Sequence, residues 1–342
     1  MTSVTTAPDI AHAVDVLVQG GLIAFPTETV YGLGADAESP EAVARIYAAK
    51  GRPSDHPVIV HIAPEADLSY WATAVPEQAY ALIDAFWPGP LTLILKRAGH
   101  ISDAVSGGQD SIGLRCPSHP VAQALFRAFA ARRASGQAGV AGPSANQFGQ
   151  VSPTLVAHVR SEFPELVAQG MPVLEGGASE VGIESTIVDL SRVDQGVGPV
   201  LLRPGHITAE QIAAVLGQSV AGVDVGAPRV SGALKSHYAP HTPLQLGSLE
   251  TLRAVAQHPG LHDSSQRMVI VSYSSPQAGV RLHPQVDWIA VPADPVAYSH
   301  ALYATLRALD QSGYARMLWE RVPDTSDWLG VKDRLGRAAA AF

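Results

Sequence analysis

The sequence predicts a mixed α/β protein of two domains, and three observations carry that reading. Short apolar runs alternate with amphipathic stretches that begin on helix-capping residues, the order expected of a sheet flanked by helices. The length of 342 residues exceeds one ordinary domain, and 46% hydrophobic against 16% charged residues supplies enough apolar material for real cores. Between about Gly217 and Pro243 the alternation fades into "VGAPRVSGALKSHYAPHTP", rich in Gly, Pro and Ser, which reads as an interdomain linker. The expected organisation is a first domain over 1–217, a linker or lid over 218–243 and a small α/β domain over 244–342.

The elements follow in order. A helix runs from Asp9 to Gln19 and is ended by Gly20 and Gly21, and the apolar strand "LIAFP" comes next. Ser39, Pro40 and Glu41 read as the cap and first two residues of a helix through Ala49. Then come a strand over Val58 to Ile62, a helix near Pro76 to Phe86, the strands "LTLILK" and "SIGLR", a helix from His119 to Ala131 and the strand "GVAG". The strands "STIVDL" and "PVLLR" and a helix capped by Thr208 complete the first domain. Beyond the linker the pieces are a helix over Leu249 to Gln257, the strands "MVIVSY" and "VDWIAV", a long helix from Pro295 to Gln311, the strand "MLWERV" and a terminal helix.

Composition excludes several function classes. One cysteine, Cys116, rules out an internal disulfide framework and a thiolate-rich zinc site, which agrees with a reducing compartment; Cys116 itself reads as a buried strand residue. The stretch "MTSVTTAPDIAHAV" lacks the layout of a signal peptide and no apolar run approaches the roughly 18 residues of a membrane span, so a cytoplasmic protein is expected. A net charge of -8 argues against a broad basic surface for nucleic acid and leaves room only for a local basic pocket.

Lys50 and Arg52 occupy a Gly/Pro turn between a helix and the apolar strand centre Val58, Ile59 and Val60. Two cations at a strand entrance suggest an anion, and from this segment alone two solvated turn residues are equally compatible. "GLGADA" formally matches G-x-G-x-x-A, but six residues, "PTETVY", separate Phe25 from Gly32, and Asp55 precedes the next strand instead of closing it. A Rossmann cofactor loop is therefore not expected there, and no phosphate loop of the G-x-x-x-x-G-K-[ST] kind occurs. Five polar clusters fall at strand ends: Thr27, Thr29 and Tyr31; Lys50 and Arg52; Ser111 and Arg115; Ser144 and Asn146; Ser185 and Thr186. Each alone is ordinary turn chemistry, whereas their shared placement suits a phosphate- or carboxylate-bearing substrate. Pro240 between His237 and His241 disfavours a helical metal site, and Tyr238 reads either as packing or as part of a lid.

"PTETVYGLG", "KGRPSDHPVIVHI", "WPGPLTLIL", "SIGLRCP", "GPSAN" with "SPT" after it, "GIESTIVD" and "LLRPG" together resemble the YrdC-like threonylcarbamoyl-AMP synthase family over about Gly21 to Gly205, and "SHYAPHTP" before a small α/β unit resembles its longer, two-domain branch. The resemblance implies a YrdC-like twisted mixed sheet with helices, followed by a Rossmann-like C-terminal domain. It implies conversion of L-threonine, bicarbonate and ATP to threonylcarbamoyl-AMP and pyrophosphate, with Mg²⁺ accompanying ATP and the product passed to the tRNA threonylcarbamoyl-transferase machinery. By position in the motifs, Lys50 and Arg52 would act at the phosphates, and Arg52, Ser111, Ser144, Asn146, Ser152, Arg203 and Tyr238 would contact ATP. Thr29, His61, Arg115, Gly142 and Ser185 would line the threonine site. His56 stands where the family usually has asparagine, which leaves its ATP contact open. The rival readings are an RNA-binding module of the same type and a carbamoyltransferase with another acceptor.

Overall fold

The computed structural model describes residues 5–259, 266–276 and 281–342; residues 1–4 of the N-terminal stretch read above lie outside them. The described chain divides into two compact units, one of residues 1–148 with 152–233 and the other of 149–151 with 234–342.

The first unit is built on nine strands: β1 (Ile23–Phe25), β2 (Gly32–Asp36), β3 (Ile59–Ile62), β4 (Ala72–Thr73), β5 (Leu91–Arg97), β6 (Ser111–Arg115), β7 (Gly139–Ala141), β8 (Thr186–Asp189) and β9 (Val200–Arg203). They form one mixed sheet in the order β1-β2-β7-β3-β6-β5-β8-β9, with β4 beside β5. β3 runs parallel to β6 and β5 parallel to β8, and the other pairings are antiparallel. Side chains alternate between the two faces of a strand. One face therefore carries Val60, Ile62, Leu91, Leu93, Leu95, Ile112, Leu114 and Val188 into the main core, against Ala42, Val43 and Ile46 of the helix Pro40–Lys50 and Ala79 and Leu82 of the helix Glu77–Phe86. The opposite face is the one that matters for function.

β2 is the segment "GLGAD", whose resemblance to a cofactor fingerprint is only formal. Its glycines serve sheet packing. A Cβ on Gly32 would come within 2.6 Å of the Phe25 ring, and one on Gly34 within 2.8 Å of Val140. The helix Pro40–Lys50 forms as its caps predict: the Ser39 hydroxyl accepts from the Ala42 amide, Pro40 opens it, and Gly51 in the left-handed region (φ 61°) ends it. Lys50 is thereby the last helical residue, fixed where the chain turns toward β3.

The second unit is a separate four-stranded sheet of β10 (Leu244–Gly247), β11 (Met268–Ser272), β12 (Val286–Ala290) and β13 (Arg316–Glu320), all parallel, in the order β10-β13-β11-β12. The helices Leu249–Gln257, Pro295–Asp310 and Leu329–Ala339 belong to it, in the manner of a small Rossmann-like domain. β10 escaped the sequence reading because "LQLG" is short and follows directly on Pro243.

The segment between the last helix of the first unit and β10 contains no helix or strand, and the boundary between units falls inside it, after Ala233. Its first part is tied to the first unit: the Ala221 amide donates to the Pro199 carbonyl (2.9 Å) and the Arg229 amide to Gln109 Oε1 (2.7 Å). In the second unit, Tyr238 is 1% exposed at φ 61°, stacked near Tyr303 and beneath the Arg334 guanidinium, and the Ala239 amide donates to the Gly149 carbonyl (2.9 Å).

Candidate active site

Strand alternation and register place Ser111, Gly113 and Arg115 of β6 on the non-core face, next to Ile59 and His61 of β3 on one side and Thr92 and Ile94 of β5 on the other. Ile187 continues that face on β8, and Ser185, the residue before that strand, meets Thr92 on it. The sequence reading put the polar clusters at strand ends. They do stand at strand ends, but at opposite ones: Ser111 opens β6 and Arg115 closes it, so the two lie at the two ends of the face. Over the middle of this face the segment Arg229–Ser231 packs closely, leaving a cavity of only about 10 Å³ whose walls include Ile59, Ile94, Ser111, Gly113 and Ile187.

The Ser111 end is cationic. Arg52 is buried and donates through Nη2 to the Pro57 carbonyl (2.7 Å) and the Ser231 hydroxyl (3.0 Å), with its guanidinium 5.8 Å from the Phe148 ring centre. Arg203 starts from the other end of the sheet, as the register partner of Ile187, and donates through Nε and Nη2 to the carbonyl and hydroxyl of Ser185 (3.0 Å each) and through Nη1 to the Ser231 carbonyl (3.0 Å). One serine of the linker segment thus bridges two buried arginines. Lys50 behaves differently from its neighbour: its ammonium donates to the carbonyls of Ser144 (2.5 Å) and Asn146, so it holds the loop after β7 in shape. Burial, then the adjacent Arg52 charge, hold its pKa well below the ordinary lysine value. His56 is half-buried, edge-on to Phe148 at 5.4 Å, and burial followed by Arg52 lowers its pKa. Ser152 donates to Glu184 at 2.5 Å, both buried.

At the other end of β6, Arg115 Nη2 donates to Glu28 Oε1 at 2.7 Å, with both side chains 4% exposed. The Thr27 and Thr29 hydroxyls lie 2.9 Å apart beside this pair in sequence, and the Ser185 hydroxyl meets that of Thr92 at 2.7 Å. His61, the register partner of Arg115, is buried edge-on to Phe25 at 5.5 Å. Burial, then the Arg115 charge, push its pKa down to about 3, so the ring is neutral. Gly142 is small by necessity, since a Cβ there would sit 2.8 Å from His61 Nδ1 and from Phe25. Thr186, by contrast, faces the core and closes on Ile207, its hydroxyl donating to that carbonyl (2.7 Å).

Thirteen of the fourteen residues singled out for the site lie in the first unit; Tyr238 lies in the second. Three residues the sequence reading passed over stand among them: Glu28, Glu184 and Ser231. The first two sit inside quoted motifs, and an acid flanked by threonines in an apolar loop, as in "TET", was the available signal. Ser231 left none, because its partners are 28 and 179 residues away.

Two family models cover the chain almost end to end. The Sua5/YciO/YrdC model, described as "Telomere recombination", matches residues 15–205, and "Threonylcarbamoyl-AMP synthase, C-terminal domain" matches residues 207–340. The chain belongs to the Sua5/YrdC family, in its two-domain form. Among its relatives, the Bacillus subtilis threonylcarbamoyl-AMP synthase is 40% identical, over 98% of this chain and 94% of that protein. The Pyrococcus abyssi threonylcarbamoyl-AMP synthase is 33% identical over 96% of this chain and 94% of that protein. The crystal structure of P. abyssi Sua5 complexed with L-threonine superposes with a TM-score of 0.81 at 32% identity, covering 96% of this chain and 94% of that one. Among the described residues no helix is long and apolar enough to cross a membrane.

Proposed function

We propose that this Sua5/YrdC-family chain is an L-threonylcarbamoyladenylate synthase that joins L-threonine, bicarbonate and ATP into threonylcarbamoyl-AMP with release of pyrophosphate, in the cytoplasm, for the tRNA threonylcarbamoyladenosine modification. The observation that carries the assignment of the site is a single sheet face with buried guanidinium groups at both ends of β6: Arg52 at the Ser111 end, Arg115 at the other, and Arg203 reaching from the Arg115 side to Ser231, which Arg52 also contacts. The substrates have the matching form, a polyphosphate and an amino-acid carboxylate. L-threonine in the related P. abyssi structure supports the amino-acid end.

The reaction needs no covalent enzyme nucleophile. The threonine amine takes up bicarbonate carbon with loss of water to give the carbamate, and a carbamate oxygen then attacks the α-phosphorus with pyrophosphate leaving. Two anions must approach in line, and fixed guanidinium groups in a site shielded from water offset their repulsion far better than solvent does. Arg52 and Arg203 serve the phosphates, Ser111, Ser144, Asn146 and Ser152 supply hydrogen bonds to the nucleotide, and Lys50 holds the Ser144–Asn146 loop. Thr29, Ser185 and Gly142 shape the threonine pocket against the neutral His61, and Arg115 receives the carboxylate.

Among the described residues no cluster of three or more His, Cys, Asp or Glu is set up to hold a metal. A Mg²⁺ carried by substrate phosphates would need only one or two protein carboxylates, and Glu184 beside Ser152 offers the oxygen chemistry for it. When bound, the ion would neutralise charge on the leaving pyrophosphate.

Pyrophosphate release from ATP that requires both L-threonine and bicarbonate is the expected result. Equal ATP turnover with threonine omitted overturns the reading. A non-catalytic RNA-binding module, the rival, would release no pyrophosphate under any combination, and the net charge of -8 already weighs against it.

A further inference from the structure

The Glu28–Arg115 pair is assigned no role by the reading above beyond the carboxylate site of Arg115. Glu28 is 3% exposed and its carboxylate is held from both sides: Oε1 accepts from Arg115 Nη2 (2.7 Å) and Oε2 from the Ser118 amide (3.1 Å). Its own backbone is pinned as well, the carbonyl accepting from the Val181 amide at 2.7 Å. Arg115 has a second anchor, from Nε to the Gly89 carbonyl at 3.3 Å. A guanidinium carries five donor hydrogens. Those two bonds are the ones Arg115 forms among the described residues, so both Nη1 hydrogens and one on Nη2 stay available in a fixed plane.

His61 beside it is neutral and adds no charge there. An unanchored arginine in such a place would rotate toward nearby carbonyls. A buried cation whose only counter-ion is removed also becomes costly to keep in place.

From this geometry we infer that Glu28 is a positioning residue for substrate recognition: it holds the Arg115 guanidinium edge-on to the pocket so that it grips the carboxylate of a zwitterionic amino acid, and thereby sets selection for the free acid over its amide. The inference rests on the proposed synthase reading for the identity of that amino acid. Glu28 passes no proton and forms no bond to substrate; it acts through Arg115.

The test compares the full-length wild type with Glu28→Gln and Glu28→Asp, using threonine and threoninamide as probes, with steady-state pyrophosphate release and calorimetric binding of threonine and ATP. In Glu28→Gln the charge is lost and a single acceptor oxygen remains, which can satisfy Arg115 or the Ser118 amide but not both. The threonine KM is expected to rise about 30-fold or more, on the scale of losing a charge-assisted contact. The ATP KM should stay within about twofold, and the preference for threonine over threoninamide should collapse. Glu28→Asp keeps the charge one methylene short and should restore most of the threonine affinity, and it carries the test on its own if the glutamine variant does not fold. Unchanged or tighter threonine binding in Glu28→Gln overturns the inference, as does an equal rise in both KM values or a discrimination ratio that does not move. Absence of threonine-dependent pyrophosphate release in the wild type would instead remove the synthase reading, so the two failures are distinguishable.

Discussion

His61 should make folding of the first unit sensitive to mild acid. An unfolded histidine titrates near 6.5, whereas burial and the Arg115 charge hold the folded ring down to about 3. Between those values the unfolded chain binds a proton that the folded chain refuses. Stability from this residue is therefore complete above about pH 6.5 and is lost progressively as pH falls toward 3. Integrating proton uptake from pH 7 to pH 4 gives a loss of about 3 kcal/mol, an order-of-magnitude figure. The chain contains 13 histidines, and others contribute their own slopes, so the quantity to measure is a difference. Urea unfolding of wild type and His61→Gln, followed by tryptophan fluorescence between pH 4 and 8, should show the wild type losing about 3 kcal/mol more than the variant over that range. Histidine ring resonances provide an independent reading: the signal missing from His61→Gln should not titrate above pH 4 in the folded wild type. A signal at that position titrating near 6.5, or parallel pH slopes in the two proteins, would refute the reasoning. Such a result would place water or a compensating anion at a ring described here as buried against Phe25 and Gly142.

Arg52→Ala should fold and lose roughly 2 to 4 kcal/mol of transition-state stabilisation, about 30- to 1,000-fold in kcat/KM for ATP, since it removes a buried charge-assisted contact. Near-normal turnover in that variant would make Arg52 a partner of Pro57 and Ser231 alone. Side-chain selectivity should be asymmetric: serine, lacking only a methyl group, should lose about 1 to 3 kcal/mol in kcat/KM. Valine, lacking the hydroxyl, should be rejected by about 10⁴-fold if Thr29 or Ser185 pairs with that hydroxyl. Competition kinetics favouring valine over serine would remove the assigned pocket.

The amino-acid sequence alone determined most of the helices and strands of the first unit, because local chemistry suffices for them. Ser39, Pro40 and Gly51 bracket a helix by their own hydrogen-bonding and backbone preferences, and "LTLILK" and "SIGLR" form strands from apolar content without further help. The ordered motifs also pointed to the family that the two family models match, and they supplied the candidate residues from which the site is proposed. Where glycine served packing at long range, local chemistry misled: "GLGAD" became an interior strand because Phe25 and Val140 need the missing side chains, a reason that lies 7 to over 100 residues away. Tertiary structure decided the rest. Only register puts Ser111 and Arg115 on one face with His61, and only packing brings Ser185 to it through Thr92, so that the site runs from one strand end to the other. Only packing shows that Lys50 and Arg52, two residues apart, do different work, the one bonded to loop carbonyls and the other joined to Arg203 through Ser231. The pairing of Glu28 with Arg115, 87 residues apart, is of the same kind: sequence supplies the charges, and burial makes each depend on the other.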